Sequence, residues 1–246
     1  MEILLCISHV PDTTAKISFV EDGKVYNKEG VQFIVGPNEE LALTRAIDIK
    51  EAQGGKITAL TVGGAEVEPT LRKALAMGAD EAIRVNAEPT DAYNVASQIA
   101  EVVKNGNYDI IMTGRESIDY NGGQVGEMVA EFLNIPSISG VNNLDIEGNK
   151  AIMQREIDGG YEKIECDFPL LLSGQKGIAF EPKIPAMRGI MMARRKPLNV
   201  VEPVAADNAT EVLVHTLPEA KGACTMIDAG NEAELIRLLH EEAKVI

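Results

Sequence analysis

Apolar runs alternate with stretches of helical periodicity over residues 2–133. The strand-like runs are almost continuously apolar, as expected for parallel strands covered on both faces. The helical stretches end at glycines or start after turn residues. This alternation predicts a doubly wound, mostly parallel α/β sheet with right-handed crossovers. The predicted strands are residues 2–10, 56–62, 81–85 and 109–113, and the predicted helices are residues 39–53, 65–77, 92–104 and 124–133.

Three other stretches have the pattern of antiparallel hairpins. Residues 17–26 center on Glu-Asp-Gly, residues 141–157 turn at Glu147-Gly148-Asn149, and residues 160–173 return from Asp158-Gly159-Gly160. We expect the last two to extend the main sheet or to form a small companion sheet.

The C-terminal residues predict a second region. We expect an α/β nucleotide-binding domain over residues 1–197, with its hairpin extension, and a C-terminal arm over residues 198–246 that contacts a partner subunit. Prolines break long elements in the arm, and residues 232–244 predict an amphipathic helix. Docking of the arm on its own domain is an equally open alternative.

Composition limits the class of partner. A net charge of −15 repels phosphate backbones and anionic lipid, so we expect no nucleic-acid partner. No apolar run approaches the length of a membrane span, so we expect no membrane insertion. Three cysteines without a pairing motif fit a reducing compartment, and we predict a cytoplasmic protein.

The basic residues cluster in residues 181–197, which we call the docking segment. It is bounded by prolines, and it contains three methionines and five cations with no acidic residue after Glu181. Methionine side chains adapt to partner surfaces, and cations attract an acidic partner. The pattern therefore predicts a protein-docking loop, although an ordinary loop before an edge strand has a similar composition.

A second candidate site lies where the first and fourth predicted strands end. Ligands of open α/β sheets bind beyond the carboxyl ends of strands where strand order reverses. Residues 113–126 bring glycines and then a helix start, which suits a phosphate, so an adenine nucleotide is the expected ligand. Asp119 accepts from ribose hydroxyls or caps the helix. The alternative is that Gly122 and Gly123 merely supply a turn with positive φ.

Signals for substrate chemistry are missing. Neither Gly-x-Gly-x-x-Gly nor Gly-x-x-x-x-Gly-Lys occurs, and no Ser/His/Asp grouping is present. The three histidines stand far apart, so we predict no metal site and no catalytic residue. An electron carrier fits these observations better than a substrate-transforming enzyme.

Three motifs carry a resemblance that covers nearly the whole chain. They are residues 185–197, Arg155-Glu-Ile-Asp-Gly-Gly160 and Gly114-Arg-Glu-Ser-Ile-Asp119. Together they resemble the beta subunit of electron-transfer flavoproteins. The resemblance implies an αβ heterodimer that shuttles electrons from flavin-dependent dehydrogenases, expected to be of the acyl-CoA type, to an acceptor. The main FAD would lie mostly in the alpha subunit, and this subunit would bind AMP or, in the electron-bifurcating kind, a second FAD.

The resemblance also implies roles for individual residues. Met187 matches a residue that anchors in the dehydrogenase, with Arg188 beside it, and Glu156 matches a residue that contacts the mobile flavin domain of the alpha subunit. The implied cofactor-binding residues are Cys6, Gly36, Pro37, Asn38, Glu39, Val62, Gly114, Arg115, Glu116, Ser117, Ile118, Asp119, Tyr120, Asn121, Gly122, Gly123, Gln124 and Val125.

The sequence departs from the family pattern at two places. Gly36-Pro37 stands where the family often has Asn-Pro, which removes a hydrogen-bonding side chain. Residues 119–126 resemble the bifurcating pattern at their ends and not in their middle, while Val10-Pro-Asp-Thr13 leans toward that kind. The resemblance thus leans toward a second FAD and leaves AMP open. The alternatives are a stand-alone adenine-nucleotide-binding protein of the universal-stress or ATP-pyrophosphatase type and a purely structural scaffold.

Overall fold

The computed structural model describes residues 1–246. The strands are β1 (Glu2–Cys6), β2 (His9–Pro11), β3 (Phe19–Val20), β4 (Val25–Tyr26), β5 (Phe33–Val35), β6 (Lys56–Val62), β7 (Glu81–Val85), β8 (Ile110–Gly114), β9 (Ser137–Glu147), β10 (Lys150–Ile157), β11 (Gly160–Asp167), β12 (Leu170–Gly174) and β13 (Leu198–Val201). The helices are α1 (Pro37–Gln53), α2 (Glu68–Met77), α3 (Ala92–Lys104), α4 (Val125–Leu133), α5 (Met187–Ala193) and α6 (Glu232–Arg237).

Nine strands form one sheet in the order β11-β10-β9-β12-β8-β1-β6-β7-β13. From β9 to β13 in this order all neighbours pair in parallel, and β10 is antiparallel to both β9 and β11. The predicted fold class, a mostly parallel α/β sheet with antiparallel hairpin additions, is confirmed. The hairpin additions extend the main sheet and do not form a companion sheet.

Helices cover both faces of the sheet, as the apolar runs predict. One core cluster joins inward residues of α1 and α2 to the sheet, including Leu43 and Leu71. A second cluster joins α3 and α4 to the opposite face, including Ile99 and Val129. The central strand β1 contributes to both clusters, since Leu5 packs in the first and Leu4 in the second. Alternate side chains of a strand point to opposite faces, so a continuous apolar run serves both cores.

The helix boundaries follow local chemistry. Pro37 occupies the first turn of α1, where a missing N–H costs nothing. The side chain of Asp91 caps α3 by accepting from the N–H of Asn94 at 2.8 Å. Gly54 and Gly78 end α1 and α2 as predicted. Asn134 ends α4 in the left-handed conformation, with φ of 53°.

Three sequence-based expectations are wrong in detail. The predicted strand of residues 2–10 is two strands, because β1 ends at Cys6 and β2 pairs with β5 in a separate two-stranded sheet. Residues 160–173 are not one returning strand, because Pro169 interrupts them and lacks the N–H that a ladder needs. Their last part, β12, is inserted between β9 and β8, where Leu170, Leu171 and Leu172 are fully buried. The docking segment is not simply a loop, since it contains α5.

The chain divides into two compact units. The first is Met1–Ile17 with Asn27–Leu213, and the second is Ser18–Tyr26 with Val214–Ile246. Residues 198–213, which the sequence assigns to the arm, belong to the first unit, because β13 pairs with β7. The second unit contains the β3–β4 hairpin, which was predicted as a hairpin within the first domain, and a terminal helix shorter than predicted. α6 ends at Arg237 and continues as a single π-helical turn. No helix has both the length and the apolar composition needed to cross a membrane.

Candidate functional site

The strand order reverses between β1 and β8. From β1 the chain proceeds to β6 and β7 on one side, and it then returns to β8 on the other side. α1 and α4, which follow this pair of strands, lie on opposite faces of the sheet. The carboxyl ends of β1 and β8 therefore flank a crevice of the kind in which open α/β sheets bind ligands. Cys6 ends β1 and Gly114 ends β8, so the two predicted site segments meet here.

Glu39 forms the floor of this crevice. Its side chain is only 4% exposed, and its Oε1 accepts a hydrogen bond from the hydroxyl of Ser8. Its Oε2 is buried without a partner. A Cβ atom added to Gly36 would collide with Oε2, and one added to Gly114 would lie 2.7 Å from Glu39 Cδ. Gly36, before α1, and Gly114, at the end of β8, thus leave room for one buried carboxyl group.

Burial of this carboxyl group affects the titration of its neighbourhood. Desolvation raises the pKa of Glu39, and the hydrogen bond from Ser8 opposes that shift only in part. Desolvation, with the nearby Glu39 as a second cause, raises the pKa of the Cys6 thiol to about 12. Cys6 is therefore a neutral, apolar wall at the end of β1 and not a nucleophile.

The backbone after β8 folds into a loop over residues 115–124. The N–H of Arg115 donates to Gly174 O at 2.9 Å, which ties the start of the loop to β12. The N–H of Ser117 donates to Gly122 O at 3.0 Å and closes the loop on itself. The N–H groups of Gly123 and Gln124 make no hydrogen bond to the protein backbone. They leave two donors beside the start of α4, where an anion is favoured.

The glycine pair does not serve the turn role considered from sequence. The residue with positive φ is Asn121, at 50°, and neither Gly122 nor Gly123 has positive φ. A Cβ atom on Gly123 would instead lie 2.9 Å from Arg115 O, so this glycine is needed for close approach of two backbone segments. Gly122 has open space around it.

Polar side chains of the loop bond mainly to one another. Asp119 accepts from the hydroxyl of Ser117 and from the N–H of Tyr120, the latter at 2.9 Å. Asp119 therefore does not cap α4, and Gln124 at the cap position makes no side-chain cap bond. Arg115, the single cation of residues 114–126, is exposed and donates to Gln175 at 3.1 Å.

Most of the predicted cofactor residues are brought together. Asn38 at the start of α1 donates to Glu116 O at 3.4 Å, which joins the second predicted segment to the loop. Val62 ends β6, one strand further along the sheet, and is buried. Pro37 and Val125 lie in the first turns of α1 and α4, and Ile118 lies in the loop.

Sequence reasoning missed two polar residues of the crevice. Ser8 follows β1 and holds Glu39, and Thr113 has a buried hydroxyl with no partner. A Cβ atom on Gly126 would lie 3.0 Å from that hydroxyl, so α4 sits tightly against β8. The available signal was a polar residue near the carboxyl end of a buried strand, since Ser8 lies two residues after β1 and Thr113 is the fourth of the five residues of β8.

The residues predicted to contact partners lie on other elements. Met187 and Arg188 begin α5, which packs against α2, and both are exposed. Glu156 is exposed near the end of β10, where Asn142 approaches it at 3.5 Å. Arg155, the neighbour of Glu156 in sequence, pairs across the hairpin with Glu162 at 2.6 Å.

Fold and crevice define an open α/β protein with glycine-lined strand ends at the reversal of strand order. Comparison with known families gives a match to the electron transfer flavoprotein domain over residues 23–206. The electron transfer flavoprotein subunit beta of Bacillus subtilis is 37% identical, with 100% of both chains covered. The caffeyl-CoA reductase-Etf complex subunit CarD of Acetobacterium woodii is 33% identical over 92% of each chain.

A third relative is the acryloyl-CoA reductase electron transfer subunit gamma of Anaerotignum propionicum, 31% identical over 82% of this chain and 78% of its own length. The match to the family model spans more than half of the chain, and the relatives cover most or all of it. The chain belongs to the electron transfer flavoprotein family, as a beta subunit.

Proposed function

We propose that this chain is the electron-carrying beta subunit of a flavoprotein heterodimer and that the crevice between β1 and β8 holds the adenosine and phosphate part of a nucleotide. The observation that carries the proposal is the crevice itself, with Gly36 before α1, Gly114 at the end of β8, and N–H groups of Gly123 and Gln124 that have no backbone partner. Membership of the electron transfer flavoprotein family supports a cofactor with redox chemistry.

The chain's own residues would bind and orient the nucleotide. Backbone donors at the start of α4 and the exposed guanidinium of Arg115 suit a phosphate group. Asp119 has a carboxylate in the loop that suits ribose hydroxyls. Cys6 and Val62 offer apolar walls at neighbouring strand ends. A bound flavin would supply the redox chemistry, and AMP would supply none.

The nucleotide is AMP or the adenosine half of a second FAD. FAD is the first candidate, because the two ends of residues 119–126 and Val10-Pro-Asp-Thr13 resemble the electron-bifurcating kind. The test is to purify the chain with its alpha subunit, release the cofactors by denaturation and count them by chromatography and mass spectrometry. Two FAD per heterodimer favour the bifurcating kind, and one FAD with one AMP favour the ordinary kind. A heterodimer with one FAD and no further adenine nucleotide would sink the site assignment.

A substitution tests where the nucleotide binds. Gly123→Val brings a branched side chain against Arg115 O and blocks approach to the start of α4. We expect the second nucleotide to be lost while the chain stays folded. Gly222→Val is the matched control, since a Cβ atom there meets nothing within 4 Å. Full nucleotide content in a folded Gly123→Val protein would refute this location.

We propose the alpha subunit as the partner of the second unit. That unit exposes several large apolar side chains that a partner could cover, namely Val214, Leu217, Met226, Ile236, Val245 and Ile246. Removing residues 214–246 should weaken association with the alpha subunit. Light scattering checks this, and a truncated chain that keeps a full-strength heterodimer would contradict it.

The electron donor is proposed to be a flavin-dependent dehydrogenase of the acyl-CoA type. The printed names of two relatives, from acryloyl-CoA reductase and a caffeyl-CoA reductase complex, support that class. Met187 on α5 would be the docking anchor, with Arg188 beside it, because an apolar knob inside a cationic rim suits a hot spot. Glu156, exposed on β10, would contact the mobile flavin domain of the alpha subunit.

A further inference from the structure

The docking segment is fixed at its N-terminal end to α1. The N–H of Lys183 donates to the hydroxyl of Thr44 at 2.9 Å. The Nζ of Lys183 forms ion pairs with Asp48 at 3.0 Å and Glu51 at 2.7 Å. This cation is therefore used inside the protein and not in the rim that faces a partner.

The C-terminal end of the docking segment is fixed to α2. Arg72 of α2 donates from one guanidinium nitrogen to Ala193 O and Lys196 O, each at 2.8 Å. Ala193 is the last residue of α5, so Arg72 satisfies a carbonyl that the helix end leaves without a partner. The Nζ of Lys196 returns to α2, where it donates to Leu75 O at 2.8 Å, and it also donates to Ala79 O at 2.5 Å.

Gly189 seats the middle of α5 against α2. A Cβ atom on this glycine would lie 2.5 Å from Ala76 O, which is a backbone atom that cannot swing away. Glycine inside a helix is less stable than alanine. Its presence in a seven-residue helix is thus explained by close approach to α2 and not by helix formation.

The outward face of this mounted helix carries the apolar side chains. Met187 is 75% exposed and Met191 is 70% exposed. Arg188, Arg194 and Arg195 form no ion pair within the protein, in contrast to Lys183. The inward contacts are made by main chain, Gly189 and Lys196, so the anchors and the free cations all remain available to a partner.

We propose that Arg72 and Gly189 are positioning residues that keep α5 pre-formed, so that Met187 meets its dehydrogenase in a single orientation. The inference rests on the docking role given to Met187 under the proposed function. An isolated helix of seven residues is unstable in water, and it depends on packing for its existence. Ordering a segment on binding reduces affinity, and a pre-formed segment avoids that cost.

The first part of the test measures, without the dehydrogenase, how firmly α5 is held against α2. Hydrogen exchange of the amides of residues 190–193 is compared in the heterodimer for wild type, Arg72→Met and Gly189→Ala. We expect exchange to be about tenfold faster or more in both variants, as for a locally opened segment. Arg45→Met is the control, because Arg45 also donates to a main-chain carbonyl, Leu144 O at 2.9 Å, away from the docking segment. Gly222→Ala controls for the glycine substitution.

The second part measures docking, with a substrate-reduced acyl-CoA dehydrogenase as the probe. Arg72→Met and Gly189→Ala should raise the half-saturating dehydrogenase concentration roughly tenfold, with an unchanged maximal rate and nucleotide content. Combined with Met187→Ala, neither should add a further increase, because positioning has no value once the anchor is removed. Arg72→Lys should restore part of the affinity.

The outcomes separate the two claims. Unchanged amide exchange at residues 190–193 in both variants would refute the claim that Arg72 and Gly189 hold α5 in place. The positioning role is refuted if the effects of the variants on the half-saturating dehydrogenase concentration add to that of Met187→Ala. It is also refuted if both variants keep the wild-type half-saturating concentration while Met187→Ala raises it. If Met187→Ala itself leaves half-saturation unchanged, the docking role under the proposed function is wrong. The positioning role is then wrong as well, and the exchange data alone decide whether Arg72 and Gly189 hold α5 against α2.

Discussion

Glycine allows close packing both in the crevice between β1 and β8 and in the docking segment, but the two sites offer different surfaces to a ligand or partner. In the crevice, Gly36 and Gly114 make room for a buried carboxyl group, Glu39, and the N–H groups of Gly123 and Gln124 offer backbone donors to a ligand. In the docking segment, Gly189 brings a helix close to α2, and the surface left for a partner is side chain, led by Met187.

This difference indicates how each site should respond to change. A site formed by backbone can be disturbed only by adding atoms or altering the packing beneath it, and such changes also alter stability. A site formed by exposed side chains on a fixed support loses affinity when an anchor is truncated, with little effect on stability. The predictions below separate these two responses.

The largest effect is expected from Gly114→Val. The new Cβ would lie 2.7 Å from Glu39 Cδ and 3.0 Å from Asn38 Cβ, and Glu39 is buried and held by Ser8. We expect a loss of about 1–3 kcal/mol in the free energy of unfolding, typical of overpacking, together with loss of the nucleotide. Urea unfolding and cofactor analysis measure the two effects, with Gly222→Val as control. A variant with wild-type stability and nucleotide content would mean that Glu39 and Asn38 move aside at little cost in free energy.

The next effect is on docking. Met187→Ala should weaken the encounter with the dehydrogenase by about 1–2 kcal/mol, the usual cost of a truncated anchor. Its thermal midpoint and nucleotide content should not change, because the side chain makes its contacts outward. Steady-state reduction at varied dehydrogenase concentration is the measurement, and Leu213→Ala, which truncates an exposed apolar side chain outside the docking segment, is the control. An altered flavin spectrum with normal half-saturation would place Met187 at the cofactor.

A smaller effect is expected in the pH dependence of stability. The pKa of Glu39 is raised above its ordinary value of 4.5, so the folded state favours the protonated form. The stability from this group is fully present below pH 4.5 and is lost as pH rises through the raised pKa. The slope from one proton is at most about 1.4 kcal/mol per pH unit.

Glu39→Gln cannot titrate, so the difference in stability between wild type and this variant should shift in favour of Gln as pH rises. Ser8→Ala removes a hydrogen bond that lowers the pKa, so it should extend the affected pH window upward. Denaturant unfolding from pH 4 to 8, a range chosen to bracket roughly the ordinary carboxyl pKa and neutrality, checks both. A pH-independent difference between wild type and Glu39→Gln would show that the pKa of Glu39 is the same in the folded and unfolded states.

The last prediction concerns the exposure of methionine side chains and requires no change in stability or affinity. Peroxide should oxidise Met187 and Met191 in the heterodimer while Met112 of β8, fully buried, stays reduced. Adding the dehydrogenase should slow oxidation of Met187. Mass spectrometry of the digested chain gives the rate, and an unchanged rate at Met187 with the dehydrogenase present would contradict docking through α5.

Much of the fold followed from local patterns. Continuous apolar runs such as Ile3–Cys6 are typical of parallel strands, and the glycines after α1 and α2 end those helices as predicted. The insertion of β12 between β8 and β9 was not predictable, since its pairing joins residues far apart in sequence. β13 entered only in the alternative of a loop before an edge strand, because its partner β7 lies more than a hundred residues earlier.

The sequence by itself determined the fold class, the strand ends that flank the crevice and the composition of the docking segment, because these depend on periodicity and on residue type. Tertiary structure alone decided that Glu39 fills the space left by two glycines and that α5 is fixed to α2 by Arg72 and Gly189. Such contacts join segments distant in sequence, and steric fit between them exists only once the sheet has brought them together.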